Sequence, residues 1–133
     1  MTIGLTVKHA NARQAGSLAD LDTGVGNAAV RIYGGARPAS PADVPTSVML
    51  VQIGLTKPCG TVADGLLTLT QLADGLIAET GIPTWARFVD GDGLTCFDCD
   101  AGAGAGAWEV QLPATQATLY AGGDARIVSA VLG

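Results

Sequence analysis

Apolar and polar side chains alternate with a period of two along most of this chain, and Gly, Pro and Asp turns interrupt the alternation at short intervals. "NAAVRIYGG" (27–35) sets Ala28, Val30 and Ile32 against Ala29, Arg31 and Tyr33, which predicts a strand with Arg31 and Tyr33 on its more polar face. "SVMLVQIGL" (47–55) is apolar on both faces, the pattern of a strand covered on both sides. Between them, "GGARPASPADVP" (34–45) holds three prolines and predicts a long loop. "ADGLLTLTQ" from Ala63 and "ADGLIAETG" from Ala73 echo one another, and each pairs an Asp-Gly turn with a short strand. Two copies are too few for a solenoid, so a meander or sheet edge is expected. Further strands are predicted at 84–89, 94–99, 108–112, 115–120 and 126–132.

A period near 3.6 appears once, over 10–21, where Ala12, Ala15, Leu18, Ala19 and Leu21 recur at helical spacing and Gly24 follows as a stop. Residues 1–9 predict an extended arm with Ile3, Leu5 and Val7 as its apolar positions, followed by a single domain over 10–133. One short helix beside eight or nine short strands predicts an all-β fold, a jelly-roll-like β-sandwich.

"TWARFVDGDGLTCFDC" (84–99) is a strong hairpin signal. It sorts Thr84, Ala86, Phe88, Thr95, Phe97 and Cys99 onto the better core face. Trp85, Arg87, Val89, Leu94, Cys96 and Asp98 fall on the other, where Arg87 and Asp98 come close enough to pair. Cys96 and Cys99 have C-x-x-C spacing, yet on a regular strand they point to opposite faces. Their Cα atoms are then about 10 Å apart, beyond the roughly 7 Å reach of a disulfide. They share a metal only if a bulge intervenes, and no second pair of ligands is in sequence. Cys59 in "KPCGT" has no base near it in sequence and is expected to be a small apolar filler.

The run from Gly102 to Ala107 matches the letters of a dinucleotide fingerprint. Its continuation, "WEVQLP", is β-prone and stopped by Pro113, where a nucleotide fold requires a helix. It is expected to be a loop. In Asp90-Gly91-Asp92-Gly93, Thr95 and Ala101 stand where a calcium hand needs Gly and Glu, so ordinary turn chemistry is expected. His9 is the single histidine and lies in the arm, and five of the ten aspartates adjoin glycine. No enzyme, cofactor or metal site is expected.

Composition changes the picture in one respect. Hydrophobic residues make up 48% of the 133 positions and charged residues only 14%, so much of the exterior must be small and neutral, and part of it covered by other chains. The net charge of −5 supplies no basic stripe for nucleic acid. No apolar run reaches the roughly 18 residues of a membrane span. The opening residues lack the basic start and apolar core of a signal peptide, so synthesis in a reducing cytoplasm is expected.

"VRIYGGARPAS" (30–40), "GIPTWARFVDGDG" (81–93) and the β-rich remainder resemble a group of small proteins encoded among tailed-phage and prophage structural genes. In that group a segment like "RIYxGxxPAS" follows a short helix, and a "TWxRxxDxDG" hairpin precedes a Gly-rich stretch. The likeness spans roughly residues 12–107. Some such proteins are head decoration or cement proteins, jelly-roll sandwiches that clamp neighbouring major-capsid subunits on the shell exterior. The resemblance implies a virion structural role, with the major capsid protein and further copies of this chain, a dimer first, as partners. The expected interface draws on Ile3, Leu5 and Val7 of the arm and on Arg31, Tyr33 and Arg37. A tail or baseplate component is the nearest alternative. A carbohydrate- or receptor-binding module, stacking through Trp85, Trp108, Tyr33 and Tyr120, comes from a different class.

Overall fold

A computed structural model describes residues 4–133. Thr6 caps the one helix, α1 (Val7–Leu21): its hydroxyl accepts the backbone N–H of His9 at 3.2 Å. Capping by Thr draws Val7, Lys8 and His9 into the helix, so these three positions leave the extended arm expected over 1–9. Ile3 lies outside the described residues. Among those residues no helix is long and apolar enough to cross a membrane.

The chain is mostly strand. In order it forms β1 (Ala29–Tyr33), β2 (Met49–Ala63), β3 (Leu66–Gln71), β4 (Gly75–Leu76), β5 (Trp85–Val89), β6 (Thr95–Ala103), β7 (Val110–Leu112), β8 (Asp124–Ala125) and β9 (Ser129–Leu132). Seven of these close into a single barrel, ordered β1-β2-β3-β9-β7-β6-β5, and β4 pairs with β8 in a separate ribbon. The all-β expectation with one short helix holds. Where two packed sheets were expected, the ladder runs round in one ring. Two strands turn its corners. The first half of β2 pairs with β1 and its second half with β3, with a register shift between Leu55 and Gly60. β6 likewise pairs with β5 and then, from Ala101, with β7.

Alternation selects the core. Val30 and Ile32, Val51, Ile53 and Leu55, Leu67 and Leu69, Ala86 and Phe88, Cys99 and Ala101, and Val110 and Leu112 all point inward and pack together. Leu21 of α1 joins them, and Leu18 packs against the cluster. The loop after α1 is tied to the same end of the barrel. Asp22 accepts the N–H of Cys59 at 3.0 Å, Asn27 donates to the Leu55 carbonyl at 2.9 Å, and Gly91 N–H reaches Thr23 C=O at 2.8 Å.

Four local expectations change. The strand buried on both faces is β5, not 47–55, because Gln52 is exposed while every residue of β5 is covered. The strand expected at 115–120 is instead a 3-10 turn, Ala114–Gln116, with a lone bridge from Leu119 to Gly81, since Pro113 ends β7. The echoed Asp-Gly pairs part company. Asp64 and Gly65 both take positive φ and make the β2–β3 hairpin turn. Gly75 instead lies flat on β2, where a Cβ would come within 2.7 Å of the Gln52 carbonyl oxygen.

The fourth change concerns the Gly-rich run, the first third of which is strand. β6 continues to Ala103, and β7 then lies parallel to it, Ala101 beside Val110. A parallel return generally takes about a dozen residues or more. Here 104–109 suffice because the loop wraps the Trp108 indole, whose N–H donates to the Gly104 carbonyl at 3.1 Å. A Cβ on Gly102 would meet the ring at 2.6 Å, and one on Gly106 would clash harder still. Gly102→Val is therefore expected to destabilise the barrel by about 1–3 kcal/mol and to shift Trp108 fluorescence to the red, read from urea melts followed at the tryptophan emission.

Candidate interaction surface

The hairpin of β5 and β6 places Arg87 directly opposite Asp98 on the outer face of the barrel. The pair is bidentate, with Nε to Oδ1 at 2.7 Å and Nη2 to Oδ2 at 2.9 Å, and both side chains are about 95% covered. The cover is the proline-rich loop. Its Asp43 carbonyl accepts Arg87 Nη1 at 2.8 Å, and its Ser47 hydroxyl accepts the Trp85 indole N–H at 3.1 Å. Tyr33 stacks on Trp85 with ring centres 4.2 Å apart, and the Arg87 guanidinium lies 5.6 Å from the Trp85 ring centre. The Asp98 hydrogen bond raises the guanidinium pKa further against the opposing effect of burial.

These contacts redistribute the expected interface set. Tyr33 is buried beneath its own loop and offers no surface to a partner. Arg31 is half-buried and donates to Gln52 at 2.9 Å. Arg37 is exposed and pairs with Asp100 at 3.3 Å. Leu5 and Val7 are exposed, Val7 on the first turn of α1 rather than on an arm. The structure therefore does not gather these residues into one patch. The aromatic set for carbohydrate stacking is also dispersed. Trp85 is buried against Tyr33 and Trp108 is folded into its loop, which leaves Tyr120 exposed.

What the structure does gather, and the sequence did not announce, is an apolar face around Ile82. A groove of about 600 Å³, lined by Gly34, Val48, Leu50, Gly81, Ile82 and Thr84, lies at the barrel end where β1 leaves and β2 enters. A second of about 450 Å³ runs past Ile82 and Thr84 to Ala101, Ala103, Trp108 and Ala117. Ile82 and Thr84 line both, so the two are continuous, and Ile82 and Val48 stand 62% and 58% exposed on the rim. The one available signal was Ile82 ahead of Pro83, an apolar residue where a turn normally carries a polar one.

The cysteines do not form a site, for a reason different from the one expected. Phe88 pairs with Phe97 but Val89 with Thr95, so Cys96 is the extra residue of a bulge. The bulge turns Cys96 against the core, beside Asp20, instead of away from it, which corrects the opposite-face assignment. Burial above all, reinforced by Asp22 at Cys59, Asp20 at Cys96 and Glu109 at Cys99, pushes each thiol up to about 12. Neutral thiols at neutral pH are poor nucleophiles and poor metal ligands. Asp90 is occupied by its own turn, accepting the N–H groups of Asp92 and Leu94 at 2.9 Å each. Among the described residues no group of three His, Cys, Asp or Glu side chains could hold a metal ion.

Two outcomes follow. Asp98→Ala strands a buried guanidinium and is expected to cost about 3–5 kcal/mol in urea melts, whereas replacing Arg87 and Asp98 together by Met and Leu restores most of that loss. The raised thiols stabilise the fold fully below their ordinary pKa of 9.0, and that contribution falls away as the pH climbs toward about 12. Stability measured between about pH 8 and pH 10 should therefore decline, and decline less in a variant with all three cysteines replaced by alanine.

Comparison of this chain with protein-family models, with curated proteins and with solved structures finds no match.

Proposed function

We propose that this chain is a phage virion structural protein of the capsid cement type, which acts by binding and not by catalysis. The observation that carries the reading is the continuous apolar face around Ile82, presented by a barrel whose buried outer polar groups are already satisfied within the chain. An exposed apolar face of this kind marks a protein contact. The likeness of "VRIYGGARPAS" and "GIPTWARFVDGDG" to phage structural proteins supports the major capsid protein as partner and the outer surface of the shell, after synthesis in the host cytoplasm, as the place. "GIPTW" itself supplies Ile82 and Thr84 to both grooves.

In this role the protein binds the assembled shell and not free subunits, and so stabilises assembly by mass action. It uses no cofactor and no nucleic acid. The reading also takes the ring, with β2 and β6 crossing from one side to the other, as a flattened relative of the jelly-roll sandwich. A tail or baseplate position would use the same face. The carbohydrate-binding alternative keeps only Tyr120 of its four exposed stacking rings.

Particles imaged with and without the protein decide the matter. Many copies on the shell are expected, with occupancy strongly reduced by Ile82→Asp and by Val48→Asp. A few copies confined to the tail would refute the cement role, and full shell occupancy by Ile82→Asp protein would refute the docking face.

A further inference from the structure

A two-stranded ribbon outside the ring presents an outer surface that nothing among the described residues covers. Its arms, 71–82 and 116–128, are joined through Gly75 and Ala125, Leu76 and Asp124, and Gly81 and Leu119. The inner side packs on the barrel: Gly75, Ile77, Leu119 and Ala125 are buried, and Ala78 N–H donates to the Leu50 carbonyl at 2.8 Å. Alternation turns Leu76 and Tyr120 outward, each 67% exposed, with Leu72 beside them at 63%. Asp74, Glu79 and Asp124 are exposed on the same ribbon with a single cation, Arg126, so three carboxylates less one guanidinium leave −2. The ion pairs among the described residues are Arg37 with Asp100 and Arg87 with Asp98, and neither involves the ribbon.

The complementary chemistry occurs at the start of α1. Leu5 and Val7 are exposed there, and so are Lys8, His9 and Arg13. Neither Lys8 nor Arg13 forms an ion pair among the described residues. Lys8 opposes its own helix, whose first turn carries no acidic residue to meet the positive end of its dipole. A local choice that works against its own element points to a demand from elsewhere. No hydrogen bond links α1 to the ribbon within one molecule, because α1 packs on β2 and β3, where Asn11 accepts the Gly65 N–H at 2.7 Å.

The geometry points to a head-to-tail contact between copies of this chain: the apolar and basic start of α1 in one molecule docks on the apolar and acidic ribbon of the next. Leu5 and Val7 meet Leu72, Leu76 and Tyr120, while Lys8 and Arg13 meet Asp74, Glu79 and Asp124. With a net charge of −5, copies otherwise repel, and this match is what brings cation to anion. The two surfaces differ, so the contact is heterologous, and copies join in a ring if the rotation closes or in a chain if it does not. The inference does not rest on the virion reading.

Two variants, each broken on one side, test it. Lys8→Glu with Arg13→Glu spoils the helix side, and Leu76→Asp with Tyr120→Asp spoils the ribbon. Every substituted side chain is exposed, so both variants are expected to fold, which circular dichroism with thermal melts checks. Wild type is expected to self-associate with concentration in sedimentation velocity, and less so at high salt. Each variant alone should associate at least roughly tenfold more weakly. Their mixture should form one-to-one dimers, because the intact ribbon of the first meets the intact helix of the second. A monomeric wild type, undiminished association of either variant, or a mixture that stays monomeric overturns the proposal. No capsid enters the assay, so its failure is separate from failure of the shell reading.

Discussion

The barrel is a ring because β7 lies parallel to β6, and β7 can lie there only because the chain reverses in six residues around the Trp108 indole. Without that reversal β6 and β9 would both be open edges, and rows of unpaired N–H and C=O groups invite pairing with other chains. Glycine at 102 and 106 is the condition for the reversal, since the indole occupies the space where their side chains would stand. A segment resembling a nucleotide-binding loop is thus a fitting for one aromatic ring. Closure also relieves a chain with few charges of the need to blunt its edges with lysine.

A second constraint acts on the outside. β5 is buried on both faces, one by the core and one by the proline-rich loop, and the loop is held by polar groups. The desolvated Arg87–Asp98 pair contributes little net stability relative to an apolar replacement, but it fixes where the loop must lie. With the loop fixed, Gly34 and Val48 at its ends form one wall of the groove beside Ile82. The order of dependence runs from an ion pair to a loop to a surface.

Much of the fold was legible in local pattern. The alternation in 28–32 and 84–89 gave β1 and β5, and the Asp-Gly turn between two apolar runs set Arg87 opposite Asp98 and Phe88 against Phe97. What was not legible depended on partners distant in sequence. The bulge at Cys96 shifts one residue within an otherwise regular period, and that shift reverses the side to which the thiol points. Tyr33 has the pattern of a surface residue, and only the docking of a loop with no periodicity of its own buries it. The two Asp-Gly echoes read alike, yet one answers to its own turn and the other to a carbonyl on β2. The Ile82 face was hidden because its walls come from 34–50, 80–84 and 100–117, which alternation cannot bring together.

The strand that seals the ring, β9, is the last of the nine in chain order, and it joins β3 to β7 by two residue pairs on each side. A ribosome making this protein therefore exposes β1 to β7 before the piece that unites them has been made. The native state must form after that final strand emerges, from contacts mostly distant in sequence, which slows folding. Until then the nascent chain carries two unsatisfied strand edges, at β3 and β7, which sibling chains on the same message could pair with. Production in quantity thus depends on how quickly β9 follows β7 out of the ribosome.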